Sequence, residues 1–264
     1  MTAARQERAV VTALLAYGRR RGGGPAYTGN RAARRFVETD DNAFLFGVIF
    51  DQGIPYEKAW EAPYLLKQRL GHFNMRRLAG SSIAKIRQAL RGPVKGQALQ
   101  RFTTRMAKWV KVAARKLVTE YRGDAGNIWR ECWIAGEVIE RLSHFHGIGQ
   151  KKAHMAAGIL HEGRGPYELD RWRDINVAVD VHVKRVFKRT GLVRYATPRD
   201  ILRVAAALHP RYPGALDEPA WTIGRDWCGP TRADCDGKQH PRRRRCPLYR
   251  VCPKKSRGRL AYGY

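Results

Sequence analysis

The stretch Leu142-Ser-His-Phe-His-Gly-Ile-Gly-Gln-Lys-Lys-Ala-His-Met-Ala-Ala-Gly-Ile-Leu160 decides the fold. A helix-like run stops at Gly147-Ile148-Gly149, and a second apolar-periodic run starts at once. Two glycines flanking one aliphatic residue give the turn access to positive φ and let it approach another surface closely. Ile148 is placed to plug the gap between the two helices. The N–H groups that open the second helix, around Gly149 and Gln150, then face outward as a ready phosphate site.

On either side of the hairpin the chain reads as all-α. Phe102, Met106, Trp109, Val110, Ala113 and Leu117 recur at helical spacing and are expected in the core, with Arg101, Arg105, Lys108, Lys111, Arg115 and Lys116 on the opposite, solvated face. No stretch alternates at period two as a half-buried strand does. Breakers fall at 22–25, 92–96, 123–126, 163–166 and 210–214. The longest apolar run, 43–50, is far short of the roughly 18 residues a membrane helix needs. Segment 9–17 is apolar and preceded by Arg5 and Arg8, but Arg19, Arg20 and Arg21 follow without a small-residue cleavage site, so it reads as a mature N-terminal helix. A soluble, cytoplasmic protein is expected.

Composition bounds the partner. The 264 residues carry 51 Lys and Arg against 23 Asp and Glu, a net charge of +28. Such a balance argues for a polyanion, whether DNA, RNA or an anionic membrane. With 44% hydrophobic residues the chain can bury a core, which excludes wholesale disorder.

A second informative segment is Ile175-Asn-Val-Ala-Val-Asp-Val-His-Val-Lys-Arg-Val-Phe187. The apolar run ends at Asp180 and helical periodicity resumes with Val183, Val186 and Phe187. That makes Asp180 a helix N-cap.

Four of the five cysteines, Cys228, Cys235, Cys246 and Cys252, lie in the last 37 residues with the spacing C-x6-C-x10-C-x5-C. Such a group can hold Zn²⁺ or ligate a four-iron cluster. Zinc sites usually show C-x2-4-C pairs, and the three gaps here are all longer, so spacing favours the cluster. Between Cys235 and Cys246 the chain reads Asp-Gly-Lys-Gln-His-Pro-Arg-Arg-Arg-Arg, and from 236 to 259 ten Lys and Arg face one acid. Pinned between two ligands, these guanidinium groups could be held along a phosphate backbone. Cys132 stands alone and reads as a small buried residue.

These residues resemble the helix-hairpin-helix superfamily of DNA glycosylases with a Gly/Pro-rich loop and aspartate, in particular its endonuclease III-like members. The resemblance rests on Gly147-Ile-Gly-Gln-Lys-Lys-Ala153, the loop around 163–166, Val-Ala-Val-Asp180-Val-His182, and Ile223-Gly-Arg-Asp-Trp-Cys228 opening the cysteine group. It implies a two-lobed all-α fold: a six-helix lobe with the hairpin at 38–163, and a discontinuous lobe of 1–37 and 164–264 carrying Asp180 and a [4Fe–4S] cluster on Cys228, Cys235, Cys246 and Cys252. It also implies Lys151 as nucleophile and Asp180 as the essential carboxylate. Burial among cationic neighbours would supply the neutral amine that Lys151 needs.

Gln52 would fill the gap left by an extruded base. Gly147, Ile148, Gly149, Gln150, Lys152 and Arg250 would contact DNA, and His146, His182 and 167–174 would line the pocket or support it. The chain departs from the family in three places: His146 stands where a proline is usual, ten residues separate the second and third cysteines, and Asp51 precedes Gln52.

The expected partner is double-stranded DNA with a damaged, mismatched or modified base, bound by a monomer. The expected activity is a glycosylase with AP lyase action on an oxidised pyrimidine. Two alternatives stand beside it: a monofunctional glycosylase for mismatched uracil, thymine or another modified base, and a non-catalytic DNA-binding protein with a zinc module.

Overall fold

A computed structural model describes residues 2–21, 27–94, 96–130, 132, 134–163 and 169–253. The loop expected at 22–25, most of that at 163–166, pocket-wall residues 167–168 and the basic tail past 253 lie outside the described residues. The chain opens with α1 (Ala3–Arg21) and divides into two compact units. One comprises Gly24–Ala156 and Arg164–Asp170, the other Met1–Gly23, Ala157–Gly163 and Arg171–Tyr264.

The first unit is built around α3 (Asp41–Phe50), preceded by α2 (Arg31–Thr39). Asp40 caps α3 by accepting from Ala43 N at 2.9 Å, and every residue from 43 to 50 is buried. That is how the longest apolar run of the sequence is used: as a helix apolar all round, enclosed by its neighbours. Gly47 lets α4 (Tyr56–Leu70) lie close, because a Cβ there would stand 2.4 Å from the Trp60 ring. Further along, α5 (Met75–Gly80) and α6 (Ile83–Arg91) pack on α7 (Thr103–Glu120). Next come a 3-10 turn at Ala125–Ile128 and α8 (Ala135–Ser143). Then α9 (Gln150–Gly163) begins in this unit and ends in the other.

Met106, Val110, Ala113 and Leu117 of the α7 stripe are buried as expected. Phe102 is not. The helix starts at Thr103, so Phe102 lies outside its periodicity at the cap and is 42% exposed.

In the second unit α10 (Val181–Thr190), α11 (Pro198–Leu208) and α12 (Asp217–Asp226) pack with α1. Val10 and Leu14 meet Val183, Phe187, Ile201 and Ile223 in one core. The N-terminal apolar segment is therefore a packed helix of this unit. Among the described residues there are twelve α-helices and no sheet, only isolated bridges at Ile134–Asp170 and Cys228–Ala233.

Candidate active site

The hairpin turns as the glycine spacing requires, with one difference. Gly147 takes φ +88°, and a Cβ there would come within 2.6 Å of the Trp109 ring. Gly149 keeps a negative-φ backbone and faces open space, so its value is an uncluttered approach to the turn. Ile148 is 3% exposed and forms the expected plug, its N–H donating to Phe145 O at 3.0 Å. The Gly149 carbonyl accepts from Ala153 N at 3.0 Å, which closes the first turn of α9 while Gly149 and Gln150 stay exposed. Gly147→Ala combines left-handed strain with overpacking against Trp109, about 2–4 kcal/mol together. Thermal unfolding should register this as a clear drop in Tm.

The two lysines that open α9 are in opposite environments. Lys151 has a side chain 39% exposed, with its Nζ 3.8 Å from Asp51 Oδ2. Lys152 is 6% exposed and its Nζ donates to Ile49 O at 3.1 Å, near the end of α3. Burial pushes Lys152 down to about 8, against the pull of Asp51 and helped by the Lys151 charge. The burial expected for Lys151 thus falls on Lys152, whose ammonium braces α3 from inside the unit and does not face a phosphate.

Below pH 8 the folded chain holds a buried charge at the full cost of desolvation. As pH rises from 8 toward the unfolded value near 10.4 the folded chain sheds that proton first, and the cost fades. Lys152→Met should raise Tm at pH 7 and flatten its rise between pH 8 and 10. A lowered Tm would mean that the bond to Ile49 outweighs the desolvation.

Gln52 lies just past α3 with its side chain exposed. Its loop is braced from beneath by Gln100, 1% exposed, which donates to Phe50 O at 3.0 Å and Gln52 O at 2.7 Å. Neither this brace nor the Asp51–Lys151 pair was legible in the sequence, where Gln100 and Asp51 lie far from the hairpin. The only signal was the acid preceding Gln52.

In the second unit, Asp180 caps α10, Oδ1 accepting from His182 N at 2.8 Å and Val183 N at 2.9 Å. Among the described residues Oδ2 has no hydrogen-bond donor. Burial holds His182 below the usual imidazole range, with Arg185 adding to the effect and Asp180 opposing it. Its Nδ1 lies 2.5 Å from Arg185 Nη2, an arrangement for a neutral ring accepting a proton, and Arg185 also donates to Gly224 O at 2.9 Å. His182 is thereby a structural neighbour of the cap, and acid that protonated it would break this contact.

The four cysteines line one cavity of about 580 Å³, together with Arg189, Trp227 and Leu248 among others. Among the described residues no three His, Cys, Asp or Glu side chains converge closely enough to hold a single metal ion. Four thiolates on zinc, at Zn–S of about 2.3 Å, must crowd around one point. The cavity brings the four sulfurs to one region of the unit without drawing three of them to a single point. Burial, with Cys228, Cys235 and Cys252 nearby, pushes the Cys246 thiol up to about 12, so four thiolates here require positive charge among them. Arg189, 4% exposed, donates to Cys228 Sγ at 3.2 Å and to Gly229 O at 2.7 Å, which fixes the sulfur against the chain that follows it. After Cys246, Leu248 is buried and Arg250 points to solvent.

The helical fold, the hairpin and the capped aspartate together define a class: DNA base-excision proteins of the helix-hairpin-helix type. The HhH-GPD superfamily of base excision DNA repair proteins matches residues 46–210, more than half of the chain, and the chain belongs to this family. The matched span holds the hairpin and Asp180 and ends before the cysteines. Two solved structures share its fold closely: a trapped endonuclease III–DNA covalent intermediate and a non-covalent endonuclease III–DNA complex. Both have a TM-score of 0.65, with 15% and 14% identity, covering 96% of this chain and 97% of the other. A thermostable thymine-DNA glycosylase matches at TM-score 0.63 and 13% identity, over 96% and 98% of the two chains. No curated protein sequence matches.

Proposed function

We propose that the chain is a DNA glycosylase with AP lyase activity, acting on duplex DNA that carries a damaged base, with an oxidised pyrimidine as first choice. The observation that carries the reading is the placement of Lys151 on the first turn of α9, directly after an exposed, phosphate-ready turn and beside a carboxylate. The endonuclease III complexes that share this fold contain DNA, in one case covalently trapped.

A base inside a duplex cannot be reached, so the nucleotide is extruded at a cost of a few kcal/mol. The N–H groups of Gly149 and Gln150 hold a flanking phosphate, and Gln52 on its braced loop enters the vacated stack. As the glycosidic bond breaks, the base leaves with the bonding electrons and positive charge grows on the sugar. Asp180 stabilises that charge. The Lys151 amine adds to C1′, its proton passing to a nearby carboxylate, and the C1′–O4′ bond then breaks, O4′ taking up a proton as the ring opens. The resulting Schiff base acidifies the C2′ proton, whose loss expels the 3′ phosphate. These groups would be carried on two lobes, 38–163 and 1–37 with 164–264.

The cysteines would hold a [4Fe–4S] cluster, which supplies no step of this chemistry and stabilises the fold around Pro247 to Cys252, where Arg250 meets DNA. Aerobically purified protein should be brown with about four iron atoms per chain, a stoichiometry for iron analysis. Cys246→Ser should lose colour and iron together. A colourless protein holding one zinc would return the zinc-module reading.

A second reading rests on a specific observation. Lys151 is part-exposed and paired with Asp51 at 3.8 Å, not enclosed as a nucleophilic lysine would be, and a thymine-DNA glycosylase shares the fold almost as closely. In that case the enzyme removes a mismatched thymine or uracil and leaves the strand intact. Borohydride trapping on duplexes carrying an oxidised pyrimidine, uracil, thymine opposite guanine, 8-oxoguanine or an abasic site separates the two. A trapped complex establishes the lyase and names the base. Base release without trapping establishes the monofunctional enzyme, and neither leaves a DNA-binding protein.

A further inference from the structure

The segment 236–245, between the second and third cysteines, is folded and carries its own internal architecture. Asp234 anchors its start, Oδ1 accepting from Lys238 N at 2.9 Å and Oδ2 from Gln239 N at 2.8 Å. Gly237, at φ +72°, lies so close to the returning strand of chain that a Cβ would clash with Arg244 O. The His240 ring stacks on Trp227 at 4.4 Å and 6° between planes, and Trp227 Nε1 donates to Arg244 O at 2.7 Å. Cys246 N donates to Cys235 O at 3.0 Å and closes the base. At the tip, Arg243 takes φ +45°, a conformation a non-glycine residue holds only when its surroundings fix it.

This framework displays Lys238, Arg242, Arg243, Arg244 and Arg245, all exposed. Among the described residues no carboxylate pairs with any of them. None of the exposed large hydrophobic side chains lies in the segment, so it has no apolar anchor of the kind that a protein interface or a membrane surface buries. Guanidinium groups without carboxylate partners, on a hydrogen-bonded backbone without apolar surface, match one chemistry, the repeated phosphates of a nucleic acid. A mobile basic tail would need none of the stacking, capping and strained geometry.

We propose that segment 236–245 is a phosphate-gripping projection that binds the backbone of duplex DNA, in addition to the hairpin and independently of the base removed. The inference rests on the DNA-processing reading for the choice of polyanion, but its readout needs no excision. The test measures binding of the full-length protein to an undamaged 25-base-pair duplex across a range of KCl concentrations. Each phosphate contact contributes about 0.9 to the slope of log K against log salt. Arg242→Gln/Arg243→Gln/Arg244→Gln should lower that slope by about 2–3 and weaken binding at least tenfold near 0.1 M salt. The triple lysine variant should keep the slope, because charge is retained.

A wild-type slope in the glutamine variant overturns the proposal. So does a slope equally lost in the lysine variant, since that points to damage to the loop and not to lost charge. Single-turnover excision measured in parallel on the wild type separates this result from the glycosylase reading: absent excision sinks that reading and leaves the slope comparison standing.

Discussion

Asp180→Asn should slow base excision by about 10²- to 10⁴-fold and leave the protein folded. The carboxylate has two duties that this substitution separates. As a cap, Oδ1 accepts from the His182 and Val183 N–H groups, and asparagine caps a helix as well as aspartate does. As a catalytic group it must carry a negative charge toward a sugar that becomes positive, and asparagine has none to offer. Thermal unfolding of the variant should match the wild type within about 0.5 kcal/mol. Asp180→Ala should lose the cap as well, at about 1 kcal/mol. Single-turnover excision on a damaged duplex is the decisive measurement. Undiminished excision by the asparagine variant would reduce Asp180 to a cap and remove the mechanism.

Lys151→Gln should abolish borohydride trapping and slow strand cleavage by on the order of 10³-fold or more, because no other group is proposed to form the Schiff base. Its side chain is 39% exposed, so stability should hold within about 0.5 kcal/mol. Lys152 is the built-in control. Its ammonium is tied to Ile49 O inside the unit, so Lys152→Met should trap as the wild type does. Trapping that survives Lys151→Gln but vanishes with Lys152→Met would exchange the two roles. Asp51→Asn adds a further arm. If the ion pair holds the amine in its protonated form, trapping should accelerate, and if Asp51 removes the proton, trapping should slow.

Much of this was legible in local sequence because the physics is local. The turn at Gly147 needs a residue that tolerates φ +88°, and glycine spacing announces it. Asp180 before a periodic run is a cap by the same short-range logic, and the pattern Val183, Val186, Phe187 is the core face that resulted. The all-apolar run 43–50 has no period to tell helix from buried strand, and it was the fold that made it a helix enclosed on every side. Where local pattern misled, a boundary was responsible: Phe102 matches the helical stripe by spacing, yet the helix begins one residue later and leaves it at the surface.

An all-helical chain, a glycine-turned hairpin and a capped aspartate could thus be read from the chain alone, since each is set by neighbours within a few residues. Which of two adjacent lysines is buried depended on packing. Helical periodicity turns Lys151 and Lys152 about 100° apart, and which face meets α3 depends on packing that no short window contains. It likewise brought Asp51 to Lys151, set Gln100 beneath the Gln52 loop, and laid His240 on Trp227. Those contacts join residues far apart in the chain, through surfaces that exist only once the helices have packed.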